Sequence, residues 1–210
     1  MPISDLTALG YLKQHEPQRQ NNVVLHIVNP PAPAGVPSSG TADDVLVLAL
    51  ESFPIPKRSI NPIEIGHFNG RVKYAGRPTY DPLQIVYKDL VTAETYLILA
   101  EWWKAVHRDT DFGDGATPGR IGFKWRADGT GYARNGYVLL YPPTGDDGAG
   151  GDTLTRQWNI EGMWPSTFDP GEADMNGEDY IRVNVTFECD RVYPVDIRTS
   201  GPTAPEDFQG

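Results

Sequence analysis

The 210-residue chain has one cysteine, Cys189, so no intrachain disulfide can staple it. Cys189 alternates with Val185 and Phe187 and is expected to act as a small buried hydrophobe. Basic residues are scarce: 18 Lys and Arg stand against 28 Asp and Glu, for a formal net charge of −10. A chain this acidic repels a phosphate backbone, which argues against the ordinary DNA- and RNA-binding modules. No apolar run approaches the ~20 residues that a membrane-spanning helix needs, so no membrane insertion is expected. The first ten residues lack a basic stretch followed by an apolar one. No signal peptide is therefore expected, and synthesis and assembly are placed in the cytoplasm.

Chemistry-bearing patterns are equally sparse. The four histidines, His15, His26, His67 and His107, share no metal-ligand spacing. Asp109, Asp111 and Asp114 open like a calcium loop, but the sixth position holds Asp114 where glycine is required. The twelfth holds Arg120 where a bidentate Glu is required. Gly113, Gly115 and Gly119 follow a helix and precede a strand, the reverse of a nucleotide-binding loop. There is no Gly-x-Ser-x-Gly elbow. Paired carboxylates such as Glu172 with Asp174 fall in a loop, where water is expected to keep them solvated. No catalytic residue, metal or cofactor is expected, and the chain is not read as an enzyme.

What the sequence does have is turn-formers, 22 Gly and 19 Pro, below the level that marks low-complexity disorder. That composition predicts a mostly β fold of short strands and many loops. Strands are expected at Val23–Val28, Val45–Leu50, Leu83–Tyr87, Arg120–Arg126, Tyr132–Tyr141, Leu154–Gly162 and Ile181–Asp190. The last is the clearest, with Ile181, Val183, Val185 and Phe187 on one face and polar residues on the other. Phe53, Pro54, Ile55 and Pro56 exclude a central strand. Beyond them, Ile63 to Tyr74 reads as a hairpin turning at Asn69-Gly70. One helix, about 91–107, is expected to bury Ala93, Tyr96, Leu97, Ala100 and Trp103, capped by Asp89 or Thr92. Residues 1–193 form one domain in this reading, and 194–210 an exposed C-terminal tail.

Several segments, in order, resemble the tail tube protein family of contractile-tailed, T-even-like bacteriophages. They are the leading strand Val23 to Ile27, and Phe53-Pro54-Ile55-Pro56 running into the hairpin. Then come Ala75-Gly76-Arg77-Pro78-Thr79-Tyr80-Asp81, a helix ending in Trp102-Trp103, and Gly162-Met163-Trp164-Pro165-Ser166. The matches span about residues 20–193. The loops at 29–44, 109–119 and 142–152 and the tail after Pro194 depart from the family pattern.

The resemblance implies a β-sandwich or barrel-like tail-tube domain with one flanking α-helix. Six copies would close a hexameric ring with a continuous inner β-barrel. Rings would stack into a conduit inside the sheath of a virion tail assembled in the host cytoplasm. Partners implied are the tail sheath protein, the baseplate tube initiator, the tape measure protein and the tail terminator, with DNA only as non-specific cargo. The arm about 53–75, with Phe53, Pro54, Ile55, Pro56, Phe68, Asn69 and Gly70, would contact a neighbouring subunit; a hairpin folded on its own domain is the alternative. Gly162, Trp164 and Pro165 would end an inner strand and turn the chain, a place an ordinary core tryptophan also fits. Gln157, Asn159 and Glu161 would face the lumen, or else the outer solvent. Two other readings stay open. One is the tube of an extracellular contractile injection or type VI secretion system. The other is a sugar-binding β-sandwich using Trp102, Trp103, Trp125, Trp158 or Trp164 as stacking platforms.

Overall fold

The computed structural model describes residues 23–68, 70–107, 121–125, 131–141, 156–172 and 179–195. Their architecture is mostly β, a curled half-barrel sheet carrying two helices, with a separate two-stranded hairpin. The elements run β1 (Val23–Ile27), α1 (Ala42–Ala49), β2 (Leu50–Ser52), β3 (Arg58–His67), β4 (Gly70–Tyr80) and β5 (Leu83–Lys88). They continue with α2 (Glu94–Val106), β6 (Arg134–Leu140), β7 (Arg156–Asp169), β8 (Arg182–Glu188) and β9 (Arg191–Val195). The main sheet has the order β1-β6-β7-β8-β5-β2, with β9 also on β7, and every pairing is antiparallel.

Strand β7 organises the sheet because it serves two halves. Its first part, Gln157 to Glu161, lies between β6 and β9, while Trp164 to Asp169 pairs with β8. The change of partner falls at Gly162, whose φ is +68°. A β-carbon there would meet the Asp190 carboxylate, so glycine answers both the backbone and the close approach. The sequence expectation that Gly162, Trp164 and Pro165 end a strand is corrected accordingly. The chain bends at Gly162 but stays in the sheet to Asp169, giving a strand of 14 residues.

Two further expectations change for physical reasons. Val45–Leu50 was expected as a strand buried on both sides, yet residues 42–49 are helix. Thr41 and Asp44 form a capping box: the Asp44 N–H donates to the Thr41 hydroxyl at 3.2 Å, and the Thr41 N–H donates to the Asp44 carboxylate at 2.8 Å. Val45, Leu46 and Ala49 then share the buried side. In α2 the buried residues are Thr95, Ile98, Leu99, Ala100 and Trp102, while Tyr96 and Leu97 are exposed and Trp103 half-buried. Neither Asp89 nor Thr92 caps it. The N-cap position is Ala93 at φ 55°, without a side-chain bond, and Glu94 instead accepts from Ser38.

The core lies between the helices and the sheet, around Ile27, Leu46, Ile85, Ile98, Trp102 and Phe187. Trp102 is fully buried, packs tilted against Phe187 with ring centroids 5.1 Å apart and donates its indole N–H to the Tyr132 carbonyl at 2.7 Å. Burying an indole with its one donor satisfied makes it an anchor between α2 and the loop before β6. Strand β8 alternates as expected, with Val183, Val185 and Phe187 buried, but it starts at Arg182, and Ile181 before it is exposed. Strand β9 replaces the expected start of a tail at Pro194, since pairing with β7 continues to Val195. Residues 121–125 contribute one isolated bridge, Ile121 to His107, in place of a strand.

Candidate functional site

The feature that the core does not explain is the hairpin β3–β4. It is a sheet of its own, paired with no strand of the main sheet among the described residues. Its register sets Ile63 opposite Tyr74, Ile65 opposite Val72, Glu64 opposite Lys73 and Gly66 opposite Arg71. Since side chains alternate across a strand, one face carries Ile63, Ile65, Val72 and Tyr74. The other carries Glu64, Arg71 and Lys73, where Glu64 reaches Arg71 at 3.5 Å and Lys73 at 3.3 Å. The four apolar residues are each 41–54% exposed. A hairpin that buries neither face is marginal in water, and a contiguous exposed apolar face marks an interaction site.

Local chemistry sets the shape of the arm. Near its root the Ser59 and Thr79 hydroxyls are 2.7 Å apart across the strands. The register then shifts between Ile60 and Pro62. Gly76 sits there because a β-carbon would strike the Asn61 carbonyl oxygen. At the tip His67 pairs with Gly70, so Gly70 belongs to the strand and the turn opens at Phe68. The turn thus centres one residue earlier than the Asn69-Gly70 reading. Phe68 takes the positive φ, 50°, and is 96% exposed; Asn69 lies outside the described residues. The hairpin is also longer than Ile63 to Tyr74, running from Arg58 to Tyr80. Phe53, Pro54, Ile55 and Pro56 form the irregular lead-in. Phe53, Pro54 and Ile55 line a cavity of about 370 Å³ at the arm's root, with Lys57, Asp81 and Pro82.

The main sheet has open ends. Strand β1 pairs only with β6 and β2 only with β5 among the described residues. Near the β2 end, Arg182 binds Glu51 at 3.0 Å and Asp179 at 2.8 Å, with its guanidinium 4.5 Å from the Tyr180 ring. These bonds hold the Asp179 carboxyl below its usual range, and hydrogen bonding to Arg182 is the largest cause.

The proposed lumen face needs correction. Gln157 is 1% exposed and Asn159 6%, with the Gln157 amide donating to the Asn159 side-chain oxygen at 2.8 Å. Both are enclosed within the chain, on a part of β7 that lies between β6 and β9. Glu161 remains partly exposed, with Arg191 at 3.9 Å. Trp158 and Ile160 lie against the core as expected.

Groups that invite a catalytic reading are already committed. His26 Nδ1 lies 2.7 Å from one oxygen of Asp43, whose other oxygen accepts the Ile27 N–H at 2.7 Å. The His26 ring stacks on Tyr137 at 4.9 Å. Thr41 shares a hollow of about 410 Å³ with Asp43, but its hydroxyl donates to Asp44 at 2.8 Å to cap α1. The pair therefore ties β1 to α1. Burial, with Glu188 and Asp190 adding to it, pushes the Cys189 thiol up to about 11, so it is protonated at neutral pH and a poor nucleophile. No group of three or more potential metal ligands occurs among the described residues, and the acidic loop at 109–119 lies outside them. Of the five tryptophans offered as sugar platforms, Trp102 is wholly buried and Trp125 is 47% exposed; the other three are half-buried. No helix among the described residues is long and apolar enough to cross a membrane.

No sequence family matches the chain, and no curated protein matches it in sequence. Its fold does match solved structures. One is a chain of the sheath–tube complex of an extracellular contractile injection system, PVC, in the extended state. It is 12% identical at TM-score 0.52, over 89% of this chain and 96% of that one. Another, from the anti-feeding prophage baseplate, is 9% identical at TM-score 0.55, over 88% and 99%. A third, from the cap that terminates the anti-feeding prophage tube, is 10% identical at TM-score 0.56, over 86% and 92%. The fold is thus one used in contractile injection machines.

Proposed function

We propose that the chain is a structural subunit of the tube of a contractile tail, closing six-membered rings that stack into a hollow conduit. The observation that carries this reading is the arm, an amphipathic hairpin with both faces in water on a fold shared with contractile machines. The edges of β1, β2 and β9, each paired on one side only among the described residues, support it further, because joining edges between copies would remove sites that invite uncontrolled pairing. A contact between unlike surfaces closes a ring where its rotation allows and otherwise repeats into a filament, so both rings and their stacking can be built from such contacts. The arm, led by Phe53 to Pro56 and tipped by Phe68 to Gly70, would be the contact between neighbours. Trp164, in T-shaped contact with Tyr132 at 5.8 Å, and Pro165 would hold the strand behind the bend. Sheath, tube initiator, tape measure and terminator are the partners this role requires. In a phage tail the lumen would pass DNA without binding it, and Glu161 is the one residue of the predicted wall that still suits this.

A second reading within the class, the tube of an extracellular injection system, is favoured by the three matched structures. Copurified cargo separates the two, DNA in one case and protein in the other. Negative-stain microscopy of the purified chain tests the class itself, with rings or tubes expected. A monomer at high concentration, even with sheath and initiator supplied, overturns it. Replacing residues 53–74 by a short Gly/Ser linker is expected to leave a folded domain that no longer assembles.

A further inference from the structure

Charge is divided unevenly between arm and body. Residues 57–80 hold five of the 18 Lys and Arg but one of the 28 Asp and Glu, so the segment carries +4 and the rest of the chain −14. The lone acid, Glu64, lies within ion-pair distance of Arg71 and Lys73. Lys57, Arg58 and Arg77 are exposed, and no carboxylate of the described residues is within ion-pair distance of them. The basic charge also lies on the element whose apolar face is uncovered.

We infer that the arm recognises the acidic body of a second copy of this chain by charge, its apolar face being desolvated only after encounter. The inference deepens the tube reading and rests on it. An arm of +4 approaching the acidic remainder of a second copy is drawn in over several ångströms before any side chain touches, and such steering raises association rates by about 10- to 1,000-fold. Arm cannot pair with arm, since like charges face each other, and acidic bodies repel. The sign pattern therefore selects the head-to-tail contact, the kind that repeats along a filament.

The test is the salt dependence of association of the full chain, followed by stopped-flow light scattering. Raising salt from about 0.1 M to about 1 M shortens the screening length from about 10 Å to about 3 Å. The association rate is expected to fall at least about 10-fold over that range. The triple variant Lys57→Gln, Arg58→Gln, Arg77→Gln is expected to associate slowly at both salts. A rate that stays constant or rises with salt overturns the inference, because apolar docking alone is not screened and is strengthened by sulfate. So does a triple variant as fast as the parent. Tight binding of single-stranded DNA that the triple variant loses assigns the charge to nucleic acid and also overturns it. Tubes that form indifferently to salt sink this inference and leave the tube reading standing. A chain that never associates sinks both.

Discussion

The apolar face of the arm permits a worked prediction. Fully burying an isoleucine side chain contributes about 1.5–3 kcal/mol. Ile63 and Ile65 are 54% and 52% exposed, so about half of that, roughly 1 kcal/mol each, remains to be gained on docking. The double substitution Ile63→Ser, Ile65→Ser should therefore remove about 2 kcal/mol per docked arm, a roughly 30-fold weaker contact. The domain should not notice. Neither residue packs on the core; their cross-strand partners are Tyr74 and Val72, within the arm. Sedimentation velocity across a concentration series reads the first effect, and thermal unfolding reads the second. Parental assembly by the double variant would refute the docking argument. A melting temperature lowered by more than a few degrees would refute the view that the arm stands apart from the core.

Three other perturbations probe the fold and the wall. Gly162→Ala forces an ordinary residue to φ +68° against the Asp190 carboxylate, which is ion-paired with Lys124. It should cost about 1–3 kcal/mol in denaturant unfolding, and a neutral result would show that β7 does not bend by this device. Thr41→Ala removes the α1 cap and should cost about 1 kcal/mol. Asp44 is held below its usual carboxylate range chiefly by the bond from the Thr41 backbone N–H. The hydroxyl's smaller share of that bonding, which Thr41→Ala removes while the backbone share stays, contributes stability above the unfolded value and loses it as pH falls through the lowered folded one, so melts taken from neutral to acid pH should show the parent losing part of its advantage over Thr41→Ala. Glu161→Lys sets two cations side by side with Arg191, yet at a partly exposed site should cost no more than about 1 kcal/mol. If Glu161 lines the conduit, tubes of this variant should retain DNA in a filtration assay at low salt, and retention equal to the parent would remove it from the wall.

The hydrophobic alternation of Ile181 to Asp190 made β8 and its core face readable directly, since period-2 burial needs no partner to be recognised. Asn-Gly punctuation and two prolines likewise marked an arm between a lead-in and a hairpin, although the turn shifted by one residue. The segment Val45–Leu50 was ambiguous by nature. A short apolar run suits a strand or a helix, and here the capping box from Thr41 to Asp44 prevailed over β propensity. The buried face of α2 was misread because Tyr96, Leu97 and Trp103 fit one side at helical spacing, whereas the sheet received the side bearing Ile98, Leu99 and Trp102.

The polar members of β7 show where the sequence stops. Alternation separated Gln157, Asn159 and Glu161 from Trp158 and Ile160, but whether a polar face meets water depends on what packs over it. Only the tertiary structure revealed that Gln157 and Asn159 are enclosed and Glu161 is not. The reach of the arm to Tyr80, and the exposure of both its faces, were decided in the same way. Strand propensity and turn chemistry are local and written in neighbouring residues, while burial is a property of surfaces brought together from distant parts of the chain.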